Sequence, residues 1–204
     1  MVTDPAPDSG ESERIVRAPP IMGINGQQTG SIMHLSRWLA AASAALTLAA
    51  TTALPQSAQA RDIVGFSGDY SPGTIVVKTG ARSLYYVLGG GKAVRYTVGV
   101  GRAGKQWTGT AMIDGKYLQP AWSPPADVKR DKPYLPNLIA GGKGNNPMGA
   151  AALTLSRGQY AIHGTNNPGS IGGFVSYGCI RMYNADVLDL YSRVSFGTTV
   201  IVTN

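Results

Sequence analysis

Cysteine occurs once in this chain, histidine twice, and glutamate not at all beyond Glu13. One cysteine excludes a disulfide within the chain. Cys179 with His163 and His34 falls short of the four ligands of a structural zinc site, so no metal is expected. Charged residues make up only 14% of the sequence and no basic run gathers them, which argues against nucleic acid as a partner. Gly99-Val100-Gly101 is followed by no helical pattern, so no nucleotide motif is read there. The uncharged stretch Trp38–Leu54 is Ala-rich and short beside the roughly 20 strongly apolar residues of a bilayer span.

What is present divides the chain. Residues 1–32 are polar, with scattered Pro and Gly, and read as disordered or as an over-extended start. From Met33 a positive start (Arg37), an apolar middle and the ending Ala58-Gln59-Ala60 form the three parts of a secretory signal over 33–60. The alternative is a true N-terminal tail on an uncleaved signal anchor. Cleavage after Ala60 leaves a short linker (61–73), a single domain (74–204) and no stable membrane span. No cysteine follows the cleavage site, which argues against a lipid-anchored form. The location expected is the periplasm or cell envelope. Trimming removes Arg14, Arg17 and Arg37 together with Asp4, Asp8, Glu11 and Glu13, so the formal charge of +7 becomes about +8. A polyanionic envelope surface or carboxylate-bearing peptides suit that charge; solubility alone explains it equally well.

Short β-branched or alternating runs recur through the domain: Thr74–Lys78, Ser83–Leu88, Ala93–Val100, Thr108–Ile113, Leu153–Leu155, Gln159–Ile162 and Thr199–Val202. Gly89-Gly90-Gly91 predicts a hairpin turn. One helix is expected from about Asn184, as N-cap, to Arg193, with Val187, Leu188 and Tyr191 as its apolar stripe. The fold class expected is therefore mainly β, a sandwich or partial barrel with one short helix after Cys179. Residues 115–149, rich in Pro and Gly, are expected as a long irregular flap over the thiol; Trp122 there lines the site or plugs the sandwich.

The chemistry concentrates between Tyr160 and Met182. A free thiol ionises near pH 8.5 and needs a base to act as a nucleophile at neutral pH; imidazole is the usual one. His163 at the end of a strand and Cys179 after Ser176-Tyr177-Gly178 supply both. Gly178 lets backbone pass close to a substrate and leaves N–H groups of Gly178 and Cys179 to hold an oxyanion. A lone Cys is otherwise a small buried hydrophobe, and a lone His a structural one.

His163-Gly164 followed by Ser176-x-Gly178-Cys179-Ile180-Arg181-Met182 resembles the signature of the L,D-transpeptidase catalytic domain (YkuD-type) family, with likeness over about residues 74–203. Many members carry His where this chain has Tyr177. The resemblance implies a mostly β catalytic domain acting on peptidoglycan stem peptides without a cofactor. Cys179 would attack the carbonyl between the third residue, usually diaminopimelate, and D-Ala. His163 would move the proton. Arg181 would hold a substrate carboxylate or serve a structural salt bridge, and Tyr160, Gly164, Ser176 and Tyr177 would line the pocket. The acceptor would be a second stem, a lipoprotein, an outer-membrane protein, a D-amino acid or water. A sortase-like enzyme would place its His much farther before its Cys, and a papain-like one would reverse their order. An L,D-carboxypeptidase or a non-catalytic wall-binding module are the alternatives. The leader reading predicts Arg61 as the N-terminus of the exported protein; N-terminal sequencing that finds residues upstream of Met33 would overturn it.

Overall fold

The computed structural model describes residues 61–204 and a two-residue strand, β1 (Val2–Thr3). The expected extension and signal segment otherwise lie outside the described residues. β1 pairs antiparallel with β8 (Ala121–Trp122). The remaining strands are β2 (Asp62–Gly65), β3 (Ile75–Lys78), β4 (Ser83–Gly89), β5 (Lys92–Thr97), β6 (Val100–Gly101), β7 (Gly109–Leu118), β9 (Ala151–Leu155), β10 (Ala161–His163), β11 (Phe174–Ser176), β12 (Ile180–Arg181) and β13 (Thr199–Thr203). Two helices, α1 (Ala126–Asp131) and α2 (Asn184–Arg193), and a one-turn 3-10 helix at Pro168–Ser170 complete the set. The mainly β architecture expected from the alternating runs is the one observed.

Nine strands form one sheet in the order β12-β10-β9-β7-β13-β3-β4-β5-β2, and β11 pairs with β6 beside it. β7 joins its two halves. Residues 109–112 pair with β13, while Ile113–Leu118 pairs with β9 through a bulge between Ile113 and Gly115. That bulge makes Asp114 the extra, unpaired residue of the ladder, and bulges re-aim side chains. The β4–β5 hairpin closes at Gly90 and Gly91, both at positive φ (58° and 70°), which glycine adopts without a Cβ clash.

One core runs through both halves. Ile75, Leu84, Tyr96, Ile113, Leu153, Ile162, Met182 and Leu190 are all in it, each at most 2% exposed. Val187 and Leu190 dock α2 with no exposed surface, at about 2 kcal/mol each by area. The Arg61–Asp186 and Arg61–Asp189 ion pairs on the same helix are partly exposed and contribute less, below about 1 kcal/mol apiece.

Four expectations need correction. The supposed linker 61–73 holds β2, which pairs with β5 at the sheet edge; its exposed, non-alternating sequence carries no strand signal. Leu188 is 43% exposed, and the buried stripe of α2 is Val187 and Leu190. The flap is not irregular throughout: β7 runs on to Leu118, and β8 and α1 follow. α1 buries no residue, so no apolar period announces it. Finally, Tyr183 rather than Asn184 caps α2. The Asn184 side chain instead accepts the backbone N–H groups of Ala150 (3.1 Å) and Thr165 (3.0 Å). A Cβ at either Gly149 or Gly164 would meet its Oδ1 at 2.2 Å, so both positions exclude a side chain.

Asn184 thus ties the segment entering β9 to the one leaving β10. Asn184→Ala would orphan two N–H groups, at about 1 kcal/mol each. A melting temperature lower by roughly 5 °C is expected, with Asn184→Asp retaining most of the stability because it keeps the acceptor.

Candidate active site

β10 and β12 run parallel, with Ile162 opposite Ile180 and His163 opposite Arg181. Side chains alternate along a strand, so Cys179, two residues before Arg181, shares the face of Arg181 and of its register partner His163. The expected pair, 16 positions apart, is thereby brought to adjacent strand ends. Both face one cavity of about 340 Å³, which Arg181, Tyr160, Trp122 and Met148 also line.

His163 is 4% exposed. Its Nδ1 lies 2.6 Å from the carbonyl oxygen of Gly164. A carbonyl only accepts, so Nδ1 carries the proton and Nε2 is left basic. Burial, reinforced by the Arg181 charge, lowers the imidazole pKa to about 4, against the opposing pull of the Gly164 and Pro147 carbonyls. His163 is therefore neutral through the physiological range. Cys179 is half-buried; burial pushes its thiol up, while the Ala161 N–H and Arg181 pull it down. Its Sγ is 3.9 Å from the Gln159 carbonyl, no more than a weak contact. The resting pair is thus thiol and neutral imidazole.

Arg181 makes no salt bridge among the described residues, and its buried Nε has no hydrogen-bond partner there. Burial lowers its pKa, and Cys179 partly offsets that. The structural salt bridge held open as its role is not formed. A half-buried cation without a counter-charge is costly, which leaves the guanidinium poised for an anion.

The loop carrying Cys179 is held from two sides. Ser176 Oγ accepts the Gly178 N–H (3.1 Å) and donates to the Cys179 carbonyl (2.6 Å). The Gly178 N–H is thus occupied, contrary to the expected oxyanion role. The Cys179 N–H has no acceptor among the described residues. Gly178 sits at φ 122°, and a Cβ there would meet the Tyr160 ring at 2.4 Å. That ring stacks on Trp107 (centroids 5.1 Å apart, 5° between planes), and Trp107 Nε1 donates to the Gly178 carbonyl at 2.9 Å. Trp107 lies 71 residues before Gly178, and no sequence signal connected the two.

Tyr160, Ser176 and Tyr177 line the cavity as expected. Gly164 does not; it turns the chain and supplies the carbonyl for His163. Tyr177 does more than line. Its hydroxyl donates to Asp131 Oδ2 (2.8 Å) at the end of α1, and Arg102 both pairs with that carboxylate (2.8 Å) and lies over the Tyr177 ring at 4.1 Å. Tyr177 so fastens the flap helix beside the thiol. Trp122 and Cys179 both pack against the cluster of Met148, Ala152 and Ala161 and line the same cavity, which places Trp122 at the site rather than away from it as a plug.

The chain is 35% identical over 137 residues to "Probable L,D-transpeptidase YbiS" of Escherichia coli K12, covering 63% of this chain and 43% of that one. It is 61% identical over 57 residues to "Putative L,D-transpeptidase YkuD" of Bacillus licheniformis, covering 28% of this chain and 34% of the other. The chain therefore matches less than half the length of these curated relatives. Among solved structures, an L,D-transpeptidase from Mycobacterium smegmatis superposes with a TM-score of 0.52 at 19% identity, covering 64% of this chain and 58% of its own. The catalytic domain of Enterococcus faecium L,D-transpeptidase acylated by ertapenem gives 0.51 at 17% identity, covering 67% and 100%. At these identities the structural matches speak for the fold. The L,D-transpeptidase catalytic domain family matches residues 72–202, well over half of the sequence, and the chain belongs to that family.

Proposed function

We propose that the chain is a peptidoglycan L,D-transpeptidase that works through a thioester on Cys179. The observation that carries this reading is the β10–β12 register, which sets a neutral His163, Cys179 and an uncompensated Arg181 on one face of one cavity. The Cys179 sulfur attacks the carbonyl of the third stem residue as its proton passes to His163 Nε2. The Cys179 N–H is the free backbone donor nearest the developing oxyanion. The C–N bond to D-Ala breaks, and His163 returns the proton to the departing amine. An acceptor amine then attacks the thioester, giving its proton to His163, and the C–S bond breaks to restore the thiol. Arg181 holds a substrate carboxylate through its guanidinium.

The acceptor is a second stem, a lipoprotein or an outer-membrane protein. Water in its place makes the same site an L,D-carboxypeptidase. The substrate lies in the cell envelope, in keeping with the leader read over 33–60.

Cys179→Ala is expected to abolish turnover, and His163→Ala to lower kcat/KM by about 10²–10⁴, the usual worth of a general base. The acid limb of the pH–rate profile should fall near pH 4 rather than 6.5. Stability carries the same signature. Unfolded His protonates through about pH 6.5 and folded His163 only near 4, so the unfolded state binds more protons and stability declines as pH falls across that window. Full turnover by Cys179→Ala would end the thiol mechanism, and a limb at 6.5 would end the account of His163.

A carbapenem combines a strained carbonyl with a carboxylate, the two features Cys179 and Arg181 are placed to meet. Intact-protein mass spectrometry should find one drug adduct on Cys179, formed much more slowly in His163→Ala and Arg181→Ala. Rapid alkylation of Cys179 by iodoacetamide with no carbapenem adduct would instead favour a wall-binding module with an accessible thiol.

A further inference from the structure

A second lobe of about 360 Å³ meets the first at Cys179. The two share Trp122, Met148, Gln159, Tyr160 and the cysteine itself, so they form one hollow on either side of the thiol. Their charges differ. The first lobe is lined by Arg181 and Lys105, and its one acid, Asp127, is spent on Lys105 and Arg130. The only charged residue lining the second is Asp114, set beside Tyr117 and Thr154.

Asp114 is the bulged residue of β7. Thr154 Oγ1 donates to its Oδ1 at 2.5 Å, which fixes the carboxylate. Asp62, Asp127, Asp131, Asp186 and Asp189 all have Lys or Arg partners within 4 Å; among the described residues Asp69 and the solvent-exposed Asp114 have none, and of these two only Asp114 lines the hollow. A flat ladder would leave this position as one more paired residue. The bulge instead turns a pinned, uncompensated carboxylate toward a lobe with aromatic walls, Trp122 and Tyr160, that suit a cation.

We infer that the Asp114 lobe binds a primary ammonium group of the peptide substrates, opposite in charge to the Arg181 lobe across Cys179. This rests on the transpeptidase reading above. Two groups share that chemistry: the side-chain ammonium of the donor's third residue, and the acceptor's amine, which docks as the ammonium and gives one proton to Asp114 before it attacks as the free amine. A peptide bearing both a carboxylate and an ammonium would then be oriented by charge, its reactive carbonyl lying between the lobes at the sulfur.

The test compares the exported protein with Asp114→Asn, which keeps the volume and the acceptor for Thr154. Donors are a tetrapeptide stem with a free side-chain amine on its third residue and the same stem N-acetylated there. If the lobe takes the donor's ammonium, Asp114→Asn lowers kcat/KM for D-Ala release from the free-amine stem roughly tenfold, the worth of one charge-assisted hydrogen bond, and leaves the acetylated stem unaffected. If it takes the acceptor's amine, D-Ala release is unchanged and the ratio of cross-linked to hydrolysed product falls by a similar factor. Equal rates and ratios in both proteins, or an equal loss on the acetylated stem, overturn the inference. Acylation of Cys179 by a β-lactam without an amine separates this from failure of the underlying reading. Retained acylation with no effect of Asp114→Asn removes only the ammonium site. If the unaltered protein neither acylates nor releases D-Ala, the transpeptidase reading falls and the site with it.

Discussion

The site depends on one pairing, that of β10 with β12. Two short strands carry it, and its register is guarded on both sides. The Met182 N–H donates to the His163 carbonyl at 2.8 Å, while Gly99 and Arg181 exchange two backbone bonds of 2.9 and 2.8 Å from the other flank. Gly99 allows that approach because a Cβ there would lie 2.8 Å from the Ser170 carbonyl. A slip of one residue would send Cys179 and Arg181 to the opposite face and Ile180 into the cavity. Ile162 and Ile180, both buried and opposite one another, oppose such a slip from within the core.

Around that pairing the site carries two electrostatic debts. His163 is buried without a carboxylate partner, and two backbone carbonyls stand in for one. A carbonyl orients the ring and fixes the proton on Nδ1, yet it does not stabilise imidazolium as an Asp would. Arg181 is half-buried without an acid and lowers the imidazole pKa further. Neither arrangement adds stability; replacing Arg181 with an apolar side chain of similar volume would remove the second and leave the burial of His163, the larger cause of its low pKa. Their persistence at one cavity is a mark of function, since strongly displaced titrating groups cluster where chemistry is done.

The pair itself was legible in the sequence because each member is scarce: with one Cys and one His in the domain, little else qualified. The hairpin at Gly90-Gly91 and the central strands were legible because alternation or β-branched runs reach the core. The supports of the site were not. Trp107 reaches Gly178 from 71 positions away, and Asp131 grips Tyr177 from a helix with no buried residue. Asn184 looked like a helix cap because its residue type suits one, but its oxygen serves two distant loops instead. Gly178 was expected to let backbone pass close to a substrate; what approaches it in the fold is the Tyr160 ring, and its N–H is already given to Ser176. Periodicity registers burial, and these contacts are polar, aromatic or confined to single residues.

The most direct measurement is product analysis. The protein, incubated with a purified disaccharide-tetrapeptide and read by mass, should release D-Ala and yield a dimer joined between two third-position residues, with a transient thioester at Cys179. Recovery of unchanged tetrapeptide by a folded protein that still binds it would contradict the assignment of Cys179 and His163 as a catalytic pair.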